Sequence, residues 1–380
     1  MKNFGVLFGY ELRKITQSKV TIITIALMLF IMLLNAGVFM ERTEAEKLVK
    51  EQQLQIDGRL VDEALLEEMV TVLNEYGEKE WTADNQTYQE LYYFASSVAG
   101  KAPVSEYTAE GMYAQRAENL TKNFRQEYIR DGAETEAEVS YWMQKEAEVS
   151  KPFVWHYTKG AKHVLVDLSS VAMVCRFLAA IALAGIFAGE RHYRTEPIIF
   201  SARYGRKTIY YAKVAAGWMF QLTVTMVMTG VLVWGTDVHY GLDGLDAALQ
   251  LYLPYVAEAL SFREAIGVMV VLLLTSSLLW AEAAIILSER LGNSLAAMGM
   301  VIGSYFLVEI LYHSVPSHFW RLRYLIALCP AVMNGVGSFY EYRLIRIAGH
   351  YLTAYQAAPM LYMGIAVALV LLGGRWYRRR

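Results

Sequence analysis

The sequence is poor in reactive and cross-linking residues. Its 380 residues include only two cysteines, Cys175 and Cys329, too few for a disulfide framework. Seven histidines (His156, His163, His192, His239, His313, His318 and His350) are scattered, and no Cys/His cluster has metal-ligand spacing. No G-x-x-x-x-G-K-[ST] phosphate loop is present, so the chain by itself is not expected to hydrolyse ATP. H-E-x-x-H and G-x-S-x-G are missing as well. No catalytic residue, metal or cofactor is therefore expected. Charge is also scarce, at 19% of residues with a net of −2.

Apolar sequence fills the space. Hydrophobic residues make up 55% of the chain, mean hydropathy is +0.26, and the apolar residues cluster into long runs between charge-rich stretches. A helix needs about 20 such residues to cross a hydrocarbon core. Six runs qualify: Val20–Met40, Val164–Ala188, Val214–Trp234, Ala265–Leu287, Leu295–Tyr312 and Ala357–Gly373. The pattern predicts an all-α integral membrane protein of six spans. The first run is long for a signal core and no small-residue cleavage site follows it, so it reads as a retained helix. Before it, residues 1–19 form an amphipathic segment with Phe4, Leu7, Phe8, Leu12 and Ile15 on one face, suited to the membrane interface.

Lys and Arg near span ends set the orientation. Lys2, Arg13, Lys14 and Lys19 precede the first span. Arg191, Arg194, Arg203, Arg206, Lys207 and Lys213 follow the second, and Arg375, Arg378, Arg379 and Arg380 follow the sixth. These place both termini and residues 189–213 in the cytoplasm of a multi-pass cell-membrane protein. Residues 41–163 then lie outside as a mostly helical segment, with Val61, Leu65, Met69 and Leu73 at helical spacing. Arg321, Arg323, Arg343 and Arg346 also fall outside, which fits the rule badly. The apolar stretch Tyr324–Val336 is too short for a seventh span and holds Pro330, Asn334 and Gly335. Residues 313–356 are therefore expected to form a re-entrant-like or interfacial region.

Arg176, Glu282 and Glu309 fall within spans, where charge is costly and usually meets protein or water, either as a substrate or ion path or as an interhelical pair that fixes packing. Arg176 and Glu282 lie about one helical turn apart in depth on helices running the same way, so they are expected to pair, with Glu309 a weaker partner. Gly185–Gly189 and Gly299–Gly303 are small-xxx-small patterns read as sites of close helix packing.

The most specific stretch follows the second span: Phe187-Ala188-Gly189-Glu190, Thr195 to Arg206, and Ala212-Lys213. It resembles the cytoplasmic segment of ABC-2 type permeases, the membrane subunits of ABC exporters, and the resemblance extends to the six-span layout and the amphipathic start with Glu11, Arg13 and Lys14. In that family an acidic residue ends the second span, an apolar stretch and a Gly-Arg turn follow, and a basic residue opens the third. Glu190, Ile198, Ile199, Phe200, Gly205-Arg206 and Lys213 occupy those places. The glycine common just after the acidic residue is absent, where His192-Tyr193-Arg194-Thr195 stands, and the outer segment is longer than in simple members. The resemblance implies that Glu190, Ile198, Ile199, Phe200, Arg203, Tyr204, Gly205, Arg206 and Lys213 couple to a separate ABC ATP-binding subunit. It also implies a second permease subunit, identical or sibling. Membrane lipid is the remaining expected partner, and no nucleic acid is expected. A stand-alone secondary transporter or a sensor with a ligand-binding outer segment is the alternative.

Overall fold

The computed structural model describes residues 2–76, 86–99, 103, 106–129, 136–202, 204–316, 318–347 and 349–379. Within these the chain is mostly helical. The first two helices, α1 (Lys2–Thr16) and α2 (Lys19–Asn35), meet at a 62° bend. Ser18 makes the break: its hydroxyl accepts from the Thr21 amide and starts a new helix. The 17 residues of α2 span about 25 Å, shorter than the expected Val20–Met40 run. The helix stops early because Gly37 takes φ 77° against the His239 ring, a backbone state that glycine adopts freely.

Next come α3 (Glu44–Leu54), α4 (Glu63–Tyr76), α5 (Gln89–Ala99), α6 (Ala109–Ile129) and α7 (Glu136–Ala147). The bundle follows, with α8 (Lys159–Leu183), α9 (Gly185–His192), α10 (Glu196–Ser201), α11 (Lys207–Tyr240), α12 (Phe262–Leu291) and α13 (Ser294–Ser314). Two short helices, α14 (Trp320–Ala327) and α15 (Pro330–Met333), precede the antiparallel hairpin β1 (Leu344–Ile347) and β2 (His350–Thr353), and α16 (Ala354–Arg378) closes the chain. Among the described residues, five helices are long and apolar enough to cross a membrane, α8 with α9 counted as one; a sixth appears only if bent α1–α2 is one span.

Capping residues place the turns. Ser261 and Glu264 box the start of α12, Gly292 ends it in the left-handed region at φ 65°, and Asn293 caps α13 at once. That makes α12–α13 a tight hairpin. The bundle centres on α12, which packs on α8, α11 and α16, while α1 lies along α11. The apolar side of α1 expected to meet lipid thus covers α11 with Leu7, Phe8, Leu12 and Ile15.

Polar contacts define the two ends. At one end, Arg116 of α6 is fully buried; its Nε donates to the Pro254 carbonyl at 2.6 Å, its Nη2 to the Val256 carbonyl at 2.9 Å, and it pairs with Glu146. Trp142 donates to the Tyr342 carbonyl, and the Tyr255 hydroxyl to that of Ser97. The segment from α3 to α7 is thereby fastened to the α11–α12 loop and to the stretch before β1. At the opposite end, Tyr377 of α16 packs on Phe187 and Phe200, and Arg290 stacks on Trp376.

Between α13 and α16 the chain turns back at depth. Asn334 donates to the Pro330 carbonyl at 2.6 Å and to Ser276, halfway along α12, at 3.0 Å. Tyr362 of α16 donates to the Leu328 carbonyl. The carbonyls freed by the α14–α15 break therefore have protein donors, as non-helical backbone among apolar helices requires.

Candidate functional site

The segment after α9 is built around a buried charge cluster. The Lys213 side chain is 0% exposed. Its ammonium donates to Glu190 at 2.5 Å, to Glu11 at 3.2 Å and to the Ile186 carbonyl at 2.8 Å. Lys14 reaches Glu190 at 3.2 Å from the half-exposed side. Three donors on the ammonium meet three acceptors, and two acids balance two bases, which is what a buried ion pair needs to be tolerated. The cluster ties α1, α9 and α11 together. Glu190 and Lys213, expected as coupling contacts, are therefore internal: they hold the base of the segment and offer no surface to a partner. Glu11 and Lys14 were not expected in this role. The available signal was a glutamate set among Leu7, Phe8, Leu12 and Ile15 on the apolar side of α1.

Above this base sits α10. The turn into it runs through Arg194, which at φ 56° is the single non-glycine residue of positive φ among the described residues. Arg191 bonds Glu196 at 3.2 Å and approaches Glu289 at 3.9 Å, fastening the turn to the end of α12. On α10, Ile199 and Phe200 turn toward the bundle, while Ile198 is 71% exposed, and Tyr193, five residues earlier in the turn before α10, is 77% exposed. Tyr204 and Arg206 are exposed, and the Arg206 guanidinium lies 5.9 Å over the Phe200 ring. Gly205 is buried, and a Cβ there would meet the Ile199 carbonyl oxygen at 1.6 Å. Its need for glycine is thus close backbone approach, where a turn conformation was expected. Arg203 lies outside the described residues. Beside the cluster a cavity of about 400 Å³ is lined by Lys14, Ser18, Gly185, Gly189, Glu190 and Tyr193. The Gly185–Gly189 pattern opens onto this space and Gly299–Gly303 onto the exterior; no atom lies within 4 Å of a Cβ at any of the four, so neither packs helices within this chain.

The expected Arg176–Glu282 pair is not formed. Glu282 accepts from Trp218 of α11 at 3.1 Å, and its other oxygen has no partner. Arg176 lies against Trp280, two residues earlier on α12. Positions two apart on a helix point about 200° around the axis from each other. Depth matched, but azimuth did not. Nor does Glu309 pair with Arg176 within 4.0 Å; it sits 4.0 Å from His313, one turn further along α13.

No protein-family model matches this chain, and neither a curated protein nor a solved structure matches it. Among the described residues, no group of three or more His, Cys, Asp or Glu could hold a metal ion.

Proposed function

We propose that the chain is the membrane subunit of an ATP-driven exporter of the ABC-2 type, moved by a separate ATP-binding subunit. The ATPase docks on α10 from the cytoplasm, with Ile198 and Tyr193 entering an apolar groove and Arg206 and Tyr204 at its rim. The observation that carries this reading is the contrast within one short segment. Its outer side presents large apolar residues beside basic ones, while its base is locked to α1, α9 and α11 by Lys213 and its acids. A push on α10 is therefore delivered to three helices at once.

In this account both termini and α10 face the cytoplasm of a cell-membrane protein, and the α3–α7 segment faces outward. A second permease subunit, identical or sibling, completes the path, and ATP binding biases which side that path faces. The test is co-expression with the cognate ATPase. The wild-type chain should bring the ATPase down with it from membranes, and Ile198→Asp should release it while the permease stays inserted. Full association of Ile198→Asp with transport intact would reduce the segment to an ordinary basic loop. One observation favours a self-driven transporter instead: the α14–α15 break lies against buried Arg176, the kind of interrupted helix such proteins use to bind their cargo. That reading moves ahead if no ATPase associates with the wild type.

A further inference from the structure

Among the described residues, Arg176 is a large buried cation with no carboxylate within 4.0 Å. It is 2% exposed and lies midway along the span Lys159–His192 formed by α8 and α9. Its guanidinium is held between two rings, 4.2 Å from the Tyr305 centroid and 4.9 Å from that of Trp280. Nη2 reaches the Pro330 carbonyl at 3.5 Å, a long bond. Nε and Nη1 have no hydrogen-bond partner. An arginine side chain keeps its charge in proteins, and an uncompensated charge at such depth is among the most costly arrangements a membrane helix can carry.

The group opens into space. A cavity of about 370 Å³ is lined by Arg176 together with Ser169, Met173, Tyr305, Asn334 and Val332, and it extends to Glu309, His313 and Glu341. Its walls come from α8, α13, α15 and the stretch after α15 as far as Glu341. We propose that this cavity binds the oxyanion head of an amphiphile, a carboxylate or a phosphate, against Arg176. The apolar chain leaves along α13, whose outer side presents Phe306, Leu307 and Ile310. The aromatic clamp fixes the guanidinium plane in advance, so little is lost in ordering it when the anion arrives. Glu309 and Glu341 bound the charge of the ligand. Both carboxylates oppose an anion anywhere in the cavity except against Arg176, from which Glu309 stays more than 4.0 Å away, so the head carries at most one net negative charge, or none where an ammonium beside the anion faces the carboxylates.

The membrane and the aqueous phase both contain such groups: a phospholipid headgroup or a free fatty-acid-like molecule. Binding requires no partner chain, so it is separable from the permease reading, on which only the fate of the ligand depends. The experiment uses the purified chain in neutral maltoside micelles. Laurate is titrated against tryptophan fluorescence, with Trp280 next to Arg176 as reporter, and dodecyltrimethylammonium is the cationic control. Native mass spectrometry counts retained phosphatidylglycerol and phosphatidylethanolamine. The wild type should bind laurate saturably, one per chain, or retain one phospholipid that laurate displaces; the second result identifies a lipid source. Arg176→Gln should weaken laurate binding at least tenfold and lose the retained lipid. Ala331, on α15, also lines the cavity; Ala331→Leu, which fills the space and leaves the arginine in place, should do the same and covers the case in which Arg176→Gln folds poorly. Tighter binding of the cationic control, or laurate and lipid binding unchanged in both variants, would overturn the proposal.

Discussion

Two buried cations in one bundle have opposite surroundings. Lys213, near the start of α11, meets two carboxylates and a carbonyl, with a second lysine balancing the charge. Arg176, midway along the span Lys159–His192, meets two aromatic rings and one distant carbonyl, and two of its nitrogens make no hydrogen bond. A charge enclosed by its partners has its work inside the fold: it fixes how α1, α9 and α11 sit together. A charge held in place by rings, with donors facing a cavity, is available to something that arrives. The same cost of burial is met inside the protein in one case and by a ligand in the other.

The comparison breaks most visibly at Lys213. Lys213→Met leaves Glu11 and Glu190 buried with only half-exposed Lys14 near them, and should lower stability by roughly 3–5 kcal/mol. In lipid-stripped protein, Arg176→Met loses two ring contacts worth about 1 kcal/mol each but also removes the cost of burying a charge with no close counter-ion, so stability should stay near the wild-type value or rise. Thermal unfolding of both variants in the same detergent checks the contrast. Equal losses would mean that Arg176 is as structural as Lys213.

Glu258, in the α11–α12 loop, extends the comparison to an acid. Burial pushes its carboxyl up to about 7, with Lys145 opposing the shift and Glu148 adding to it. The folded chain then holds this proton more tightly than the unfolded one, whose carboxyl titrates near the ordinary value of about 4.3. Its contribution to stability is full below that value and is lost as pH rises through about 7. Unfolding measured from pH 5 to pH 8 should show stability falling. Glu258→Gln should flatten that slope and be the more stable protein at pH 8. A wild type with no slope in this window would show that the carboxyl is ionised throughout.

The smallest effect concerns the turn above the Lys213 cluster. Arg194 adopts a left-handed conformation that costs a residue with a Cβ about 1 kcal/mol relative to glycine. Arg194→Gly should gain part of that, offset by the greater freedom glycine has in the unfolded chain. A shift in melting temperature upward or near zero fits; a marked drop would show that the Arg194 side chain holds the turn.

Much of the fold is legible in the sequence because hydrocarbon-length apolar runs are local signals. The long helices α8 with α9, α11, α12, α13 and α16 fall where the runs lie, extended by a turn or two where caps such as Ser261 and Thr353 set the ends. Pro330 and Asn334 mark a break that hydropathy alone would have read as continuous. The candidate site was less legible because its geometry is not local. Glu11 and Lys213 meet across 202 residues, and nothing in the spacing of either announces the other. Arg176 and Glu282 were matched by depth, yet side-chain direction around α12 sends one residue to Trp218 and leaves the other on Trp280. Arg116, buried in a segment that reads as solvated, gives no sequence signal at all.

A permease driven by a cytoplasmic ATPase through α10 has α10 and the α3–α7 segment on opposite sides of a membrane. Single cysteines placed at Tyr193 and at Met143, both exposed, in a chain lacking Cys175 and Cys329, test this directly with a membrane-impermeant thiol reagent. The account predicts that Met143→Cys reacts in intact cells, whereas Tyr193→Cys reacts only after the membrane is opened. Reaction of both from the same side would contradict it.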